Sequence, residues 1–147
     1  MGETSAADTG TSVGGIIGGI ILLAVLIGAA IAYNSFKYRG FRPRTVQTSL
    51  STEQLRVIFE QTVCGTGWTI VDDGNPIVAQ SGLLAGIRQQ IALRTTLLGT
   101  GMVAEIRVLR YSKKVFGGPT KAYTLRWRMN AFLGAVQRAD VHATVAG

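Results

Sequence analysis

One cysteine and one histidine in 147 residues leave no thiol pair for a disulfide framework and no Cys/His set for a zinc site. Eight acidic side chains stand against fifteen basic ones, and there are only three prolines. Nucleophilic or general acid–base catalysis needs a convergent set such as Ser-His-Asp, Cys-His or paired carboxylates, and the raw material for one is thin. Gly65-Thr66-Gly67 and Gly99-Thr100-Gly101 lack the lysine of a phosphate-binding loop and the glycine spacing of a dinucleotide fingerprint. Both read as tight turns. These absences lead to the expectation of a non-enzymatic protein with no cofactor and no metal site. The length allows one small domain plus a separate hydrophobic element, and excludes a multi-domain enzyme.

The chain is 47% hydrophobic, and the apolar residues are concentrated in one block. From Val13 to Tyr33 no charge, Asn, Gln or Pro interrupts the run VGGIIGGIILLAVLIGAAIAY. Its 21 residues span about 31 Å as a helix, matching a hydrocarbon layer of about 30 Å. The preceding residues 1–12 carry Glu3 and Asp8 but no Lys or Arg, unlike the basic start of a cleaved signal peptide. Ala6 stands where a myristoylation signal needs Ser or Thr. A retained single-pass anchor in the cell membrane is expected.

Basic residues near a span stay on the cytoplasmic side. Lys37, Arg39, Arg42 and Arg44 follow the run with no acid among them, so an outside N-terminus and a cytoplasmic C-terminal domain are expected. Tyr33, Phe36, Tyr38 and Phe41 interleave with them, as suits a headgroup layer, and membrane lipids are the expected contact of this stretch. Inside the span, small residues recur four apart: Gly14 with Gly18, Gly15 with Gly19, and Ala24 with Gly28 and Ala32. That spacing permits close helix approach, and so self-association or pairing with another membrane protein.

The expected division is a tail at 1–12, a span at 13–33, a basic and aromatic linker at 34–50, and a domain at 51–147. Ser51 with Gln54 reads as a capping box, Leu50 as a staple onto Leu55, and Thr52 to Cys64 as an amphipathic helix ended by Gly65. Beyond it the period changes to two. Strands are predicted over Trp68 to Val71 and Ile77 to Gln80, flanking the turn Asp72-Asp73-Gly74-Asn75-Pro76. Three longer strands follow, over Ile87 to Leu97, Met102 to Tyr111 and Ala122 to Asn130. The stretch from Ala131 through His142 is compatible with helix or strand. The expected fold is α+β, two layers with one helix on an antiparallel β-meander and a second, C-terminal helix as an option.

Alternation along the three long strands assigns Ile87, Gln89, Ile91, Leu93, Leu97, Ala104, Ile106, Val108, Tyr123, Leu125, Trp127 and Met129 to the core. The opposite face then collects Arg88, Arg94, Arg107, Arg126 and Arg128 against the single acid Glu105. Fixed guanidinium groups on a sheet can clamp anions, which makes this face the candidate anion or partner site. Arginine outnumbers lysine throughout, eleven to four, so a solvated basic face is the plainer account of the same residues. Nucleic acid is disfavoured, since the face offers chiefly Tyr111 for stacking. Cys64 reads as an inert, mostly buried small hydrophobe, Asp72 and Asp73 as turn formers, His142 as a surface residue, and the loop bearing Lys113, Lys114 and Lys121 as solvated. The function expected from all this is a membrane-anchored interaction module or accessory subunit. Two alternatives are a domain that binds a lipid or anionic amphiphile in an apolar pocket beside the bilayer and, less favoured, a small enzyme.

Overall fold

In a computed structural model of the full chain, residues 13–82, 88–112 and 122–147 are described, the side chain of Lys37 excepted. The N-terminal tail, Ile87 and the loop with Lys113, Lys114 and Lys121 lie outside the described residues. The chain forms two units, residues 1–35 and 36–147.

The apolar run is helical, as the lack of internal breakers permits. Helix α1 covers Val13–Arg39, and its segment Val13–Phe36 is long and apolar enough to cross a membrane. The helix thus continues past the expected end of the span at Tyr33, because nothing before Gly40 breaks it, and Ala32 lies inside it and not at its last turn. Ile16, Ile20, Leu23 and Ile27 on its various sides are all exposed, so no core is built around it.

The second unit is an antiparallel sheet of six strands with two helices on one face, an α+β fold as expected. Strand β1 is Arg44–Thr48, helix α2 Thr52–Val63, β2 Trp68–Asp72, β3 Ile77–Ser81, β4 Gln90–Leu98, β5 Gly101–Arg110, helix α3 Ala122–Ala139 and β6 Thr144–Ala146. The sheet order is β2-β3-β4-β5-β1-β6. The meander β2 to β5 is built from consecutive hairpins, whereas β1 pairs on one side with β5 and on the other with β6. Residues 44–48, expected in the linker, are therefore an interior strand whose Val46 is fully buried.

Local signals account for α2. Ser51 Oγ accepts from Gln54 N at 3.2 Å while Gln54 Oε1 accepts from Ser51 N at 2.9 Å, a reciprocal cap that contributes about 1 kcal/mol. The Asp72–Pro76 turn also forms, with Asp72 Oδ1 accepting from Gly74 N at 2.9 Å. Asn75 then ties this turn to β4, donating to Thr95 O at 2.8 Å and accepting from Thr95 N at 3.1 Å. Gly99 takes φ +61° in the β4–β5 turn, a conformation that favours glycine.

The largest departure from expectation is α3. Ala122 to Asn130 is helix and not strand, so the assignments made from alternation fail there. Leu125 and Met129 are buried as expected, but Tyr123 and Trp127 are exposed and Arg128 is buried. The optional C-terminal helix exists and starts at Ala122, nine residues before Ala131. Leu97 also leaves the expected core, at 70% exposed near the end of β4. Between the layers, Leu55, Phe59, Ile91, Leu93, Ile106, Leu125 and Phe132 are completely buried, each stabilising by about 1.5–3 kcal/mol over exposure.

Candidate functional site

The contacts of β1 and α3 give the second unit two distinct ends. Arg44 at the start of β1 donates from Nη1 to Asn130 Oδ1 at 2.7 Å, and Asp140 after α3 binds Thr48 at the end of β1. Helix α3 therefore runs alongside β1 in the same direction, with its first turns at the end where Phe36 enters the unit. That end is called proximal and the opposite one distal.

Aromatic and basic side chains gather at the proximal end. Phe41 stacks on Tyr111 with centroids 5.0 Å apart, Tyr38 meets the same ring edge-on at 6.1 Å, and the Arg126 guanidinium lies 5.3 Å above the Phe36 ring. Gly40 is buried beneath Arg126, whose side chain occupies the place a β-carbon would need. Burial, and then Tyr38, push the Tyr111 hydroxyl above the usual phenol range. Of the residues expected at a headgroup layer, Phe36, Tyr38, Phe41 and Arg44 thus make tertiary contacts. Tyr33, Phe36, Arg39 and Arg42 are exposed.

The small residues singled out for helix pairing all lie on α1. Gly14, Gly15, Gly18, Gly19, Ala24, Gly28 and Ala32 are all exposed.

The expected five-arginine sheet face does not exist as one surface. Arg94 and Arg107 do project from the open face of β4 and β5, but Glu105 stands opposite Arg94 in register and its carboxylate lies 3.8 Å from Arg107. Arg88 precedes β4, and Arg126 and Arg128 belong to α3. Arg128 is turned inward, donating from Nη1 to Val63 O at 2.6 Å with its guanidinium 5.0 Å over the Trp68 ring. Burial lowers its pKa below the usual guanidinium value.

Groups with chemical potential are engaged locally. Burial, and then Glu60, push the Cys64 thiol up, so a reactive thiolate is disfavoured. Asp73 pairs with Arg56, which also holds Glu60 at 3.1 Å. Asp140, not singled out in the sequence, accepts from Thr48 Oγ1 at 2.7 Å, Ser49 N at 2.8 Å, Ser49 Oγ at 3.0 Å and His142 N at 3.0 Å. Led by the Thr48 bond, these donors hold its carboxyl well below the usual range. No cluster of three or more His, Cys, Asp or Glu able to hold a metal occurs among the described residues.

No protein-family model, curated protein or solved structure matches this chain. At the distal end an open apolar groove of about 340 Å³ is lined by Leu50, Val57, Ile58 and Ala139 with Glu53 and Gln54 at its side. A second hollow of about 430 Å³ shares Leu50 and Glu53 with it and extends to Leu97 and Met102. Val57, Leu97, Leu98 and Val141 are exposed around this end. Only the tertiary fold assembles this end, because its residues come from the β1–α2 connection, α2, the end of β4, the start of β5 and the end of α3.

Proposed function

We propose that the protein is a single-pass membrane protein whose C-terminal α+β domain is a non-enzymatic interaction module or accessory subunit of a membrane complex. The observation that carries this reading is α1, whose apolar segment Val13–Phe36 is exposed on every side and so lacks the protein core that a buried apolar helix requires. Four basic residues follow the span and none precedes it, which supports a cytoplasmic domain and an outside N-terminus. The small-residue spacing of Gly14 with Gly18, Gly15 with Gly19, and Ala24 with Gly28 and Ala32 supports lateral pairing within the bilayer. At Gly14, Gly18, Gly19 and Gly28 an added β-carbon meets nothing within 4 Å, consistent with room for a neighbouring helix.

The distal groove is the partner-facing surface in this reading. It is apolar, is lined by exposed Val57 and adjoins a second hollow lined by exposed Leu97, as suits a binding patch. A lipid enclosed in the domain is less well supported, since the space between helices and sheet is filled by side chains such as Phe59 and Phe132.

Two measurements test the reading. Tags at both termini combined with protease protection should show the C-terminal tag shielded in intact cells and cut in inverted vesicles; cutting from outside overturns the orientation. A photo-crosslinker at Val57 in native membranes should yield a discrete adduct that one at Thr69, on the other side of the sheet, does not. Recovery of monomer alone from both positions overturns the interaction-module role.

A further inference from the structure

We propose that the outward face of the first turns of α3, formed by Tyr123, Arg126 and Trp127, is a bilayer-docking site that lays the proximal end of the domain on anionic headgroups. This rests on the membrane-anchor reading of α1 and adds a second, separate contact with the lipid surface. Residues 123, 126 and 127 are spaced to share one side of a helix, while Leu125, Met129 and Phe132 bury the other. Tyr123 is 76% and Trp127 63% exposed, an extent of bared ring surface that water alone does not favour. Tyrosine and tryptophan have an apolar body and a polar edge, and concentrate where hydrocarbon meets headgroups.

Continuity with the span selects lipid as the occupant. The Arg126 guanidinium lies 5.3 Å over the ring of Phe36, the last residue of the apolar segment. This stretch of α3 is therefore one side chain away from the point where the chain leaves that segment. Gly40 holds the arrangement close, since any larger residue would run into the Arg126 side chain. Charge agrees, because Arg39, Arg42 and Arg110 are also exposed at the proximal end, complementing an anionic surface.

The test uses the full chain reconstituted in vesicles of phosphatidylcholine alone or with about 30% phosphatidylglycerol, each with lipids carrying a quencher at shallow depth. Tryptophan quenching is compared between the native protein and Trp127→Phe, so that the difference isolates residue 127. Trp68 is buried and common to both. Flotation after an alkaline wash reads the anchor independently. The expected result is a lipid-quenched component that Trp127→Phe abolishes, that is larger in the anionic vesicles, and whose docked-to-undocked ratio falls about fivefold in Arg126→Gln. A chain that floats while Trp127 stays open to aqueous iodide and unquenched by lipid overturns the docking site and leaves the anchor standing. Shielding from iodide without lipid quenching assigns the face to a protein and also overturns it. Equal quenching in both vesicle types overturns the anionic-headgroup assignment. A chain that fails to float overturns the anchor and the docking site together.

Discussion

Arg128 Nη1 donates to the main-chain carbonyl of Val63 across 2.6 Å, so a side chain of α3 closes the C-terminal end of α2. A cation there complements the partial negative charge of the helix end, and the Trp68 ring lies 5.0 Å from the guanidinium carbon. Gly65 follows closely; its β-carbon position is 3.4 Å from Nη1. One arginine thus joins both helices to the first strand of the meander.

Arg128→Ala should destabilise the domain by about 2–4 kcal/mol, because it leaves the Val63 carbonyl without its partner and empties a buried volume. Arg128→Lys should recover part of that loss only, since a compact ammonium does not spread its charge over the Trp68 ring as the guanidinium does. Thermal unfolding of the full chain in detergent, followed by near-ultraviolet circular dichroism, measures both.

Asp140 makes stability pH-dependent in a stated direction. Its carboxyl is held below the ordinary range by Thr48, Ser49 and His142 N–H, so the folded state favours the ionised form. That contribution is fully present above the unfolded carboxylate pKa of about 4 and is lost as pH falls toward the lower folded value. Melting temperatures of the native protein should drop on acidification more steeply than those of Asp140→Asn, with the two curves converging at low pH.

Gly40→Ala should destabilise by about 1–3 kcal/mol, because the new methyl displaces the Arg126 side chain from its place over Phe36. In an Arg126→Ala background the same change should be nearly neutral. A double-mutant cycle on melting free energies reads the coupling.

Phe59 and Phe132 are both fully buried and meet edge to face, centroids 6.0 Å apart at 80°. Truncating either to alanine should cost about 3–5 kcal/mol. Their coupling should be about 0.5–1.5 kcal/mol beyond the separate losses, measured by the corresponding cycle.

The legible parts of this protein were those specified by neighbours in sequence. Ser51 and Gln54 cap α2 through a three-residue spacing, and Asp72 to Pro76 turns the chain through the local bond of Asp72 to Gly74. Helix α3 imitates a strand in sequence because Tyr123, Leu125, Trp127 and Met129 alternate for one strand's length. The longer series Ala122, Leu125, Met129, Phe132, Leu133 and Val136 carries the helical period, and it emerges only when residues 122–139 are taken together. Strand β1 was hidden for a different reason. Its five residues show little hydrophobic pattern, and they become a strand by pairing with β5 and β6, more than fifty and nearly one hundred positions later.

The sequence by itself determined the long apolar helix, the capped α2, the hairpin signals and the α+β class, since each depends on composition or on bonds between near neighbours. Tertiary structure decided which arginines reach solvent, turned Arg128 into a brace, left Tyr123 and Trp127 outside, and built the distal groove from α2, Leu50 before it and the end of α3. Those outcomes depend on which face of α3 the sheet buries. That face is the helical series from Ala122 to Val136, which alternation over a short stretch hides, and it is set when the whole of α3 packs on Phe59 and the strands, contacts between residues far apart in sequence.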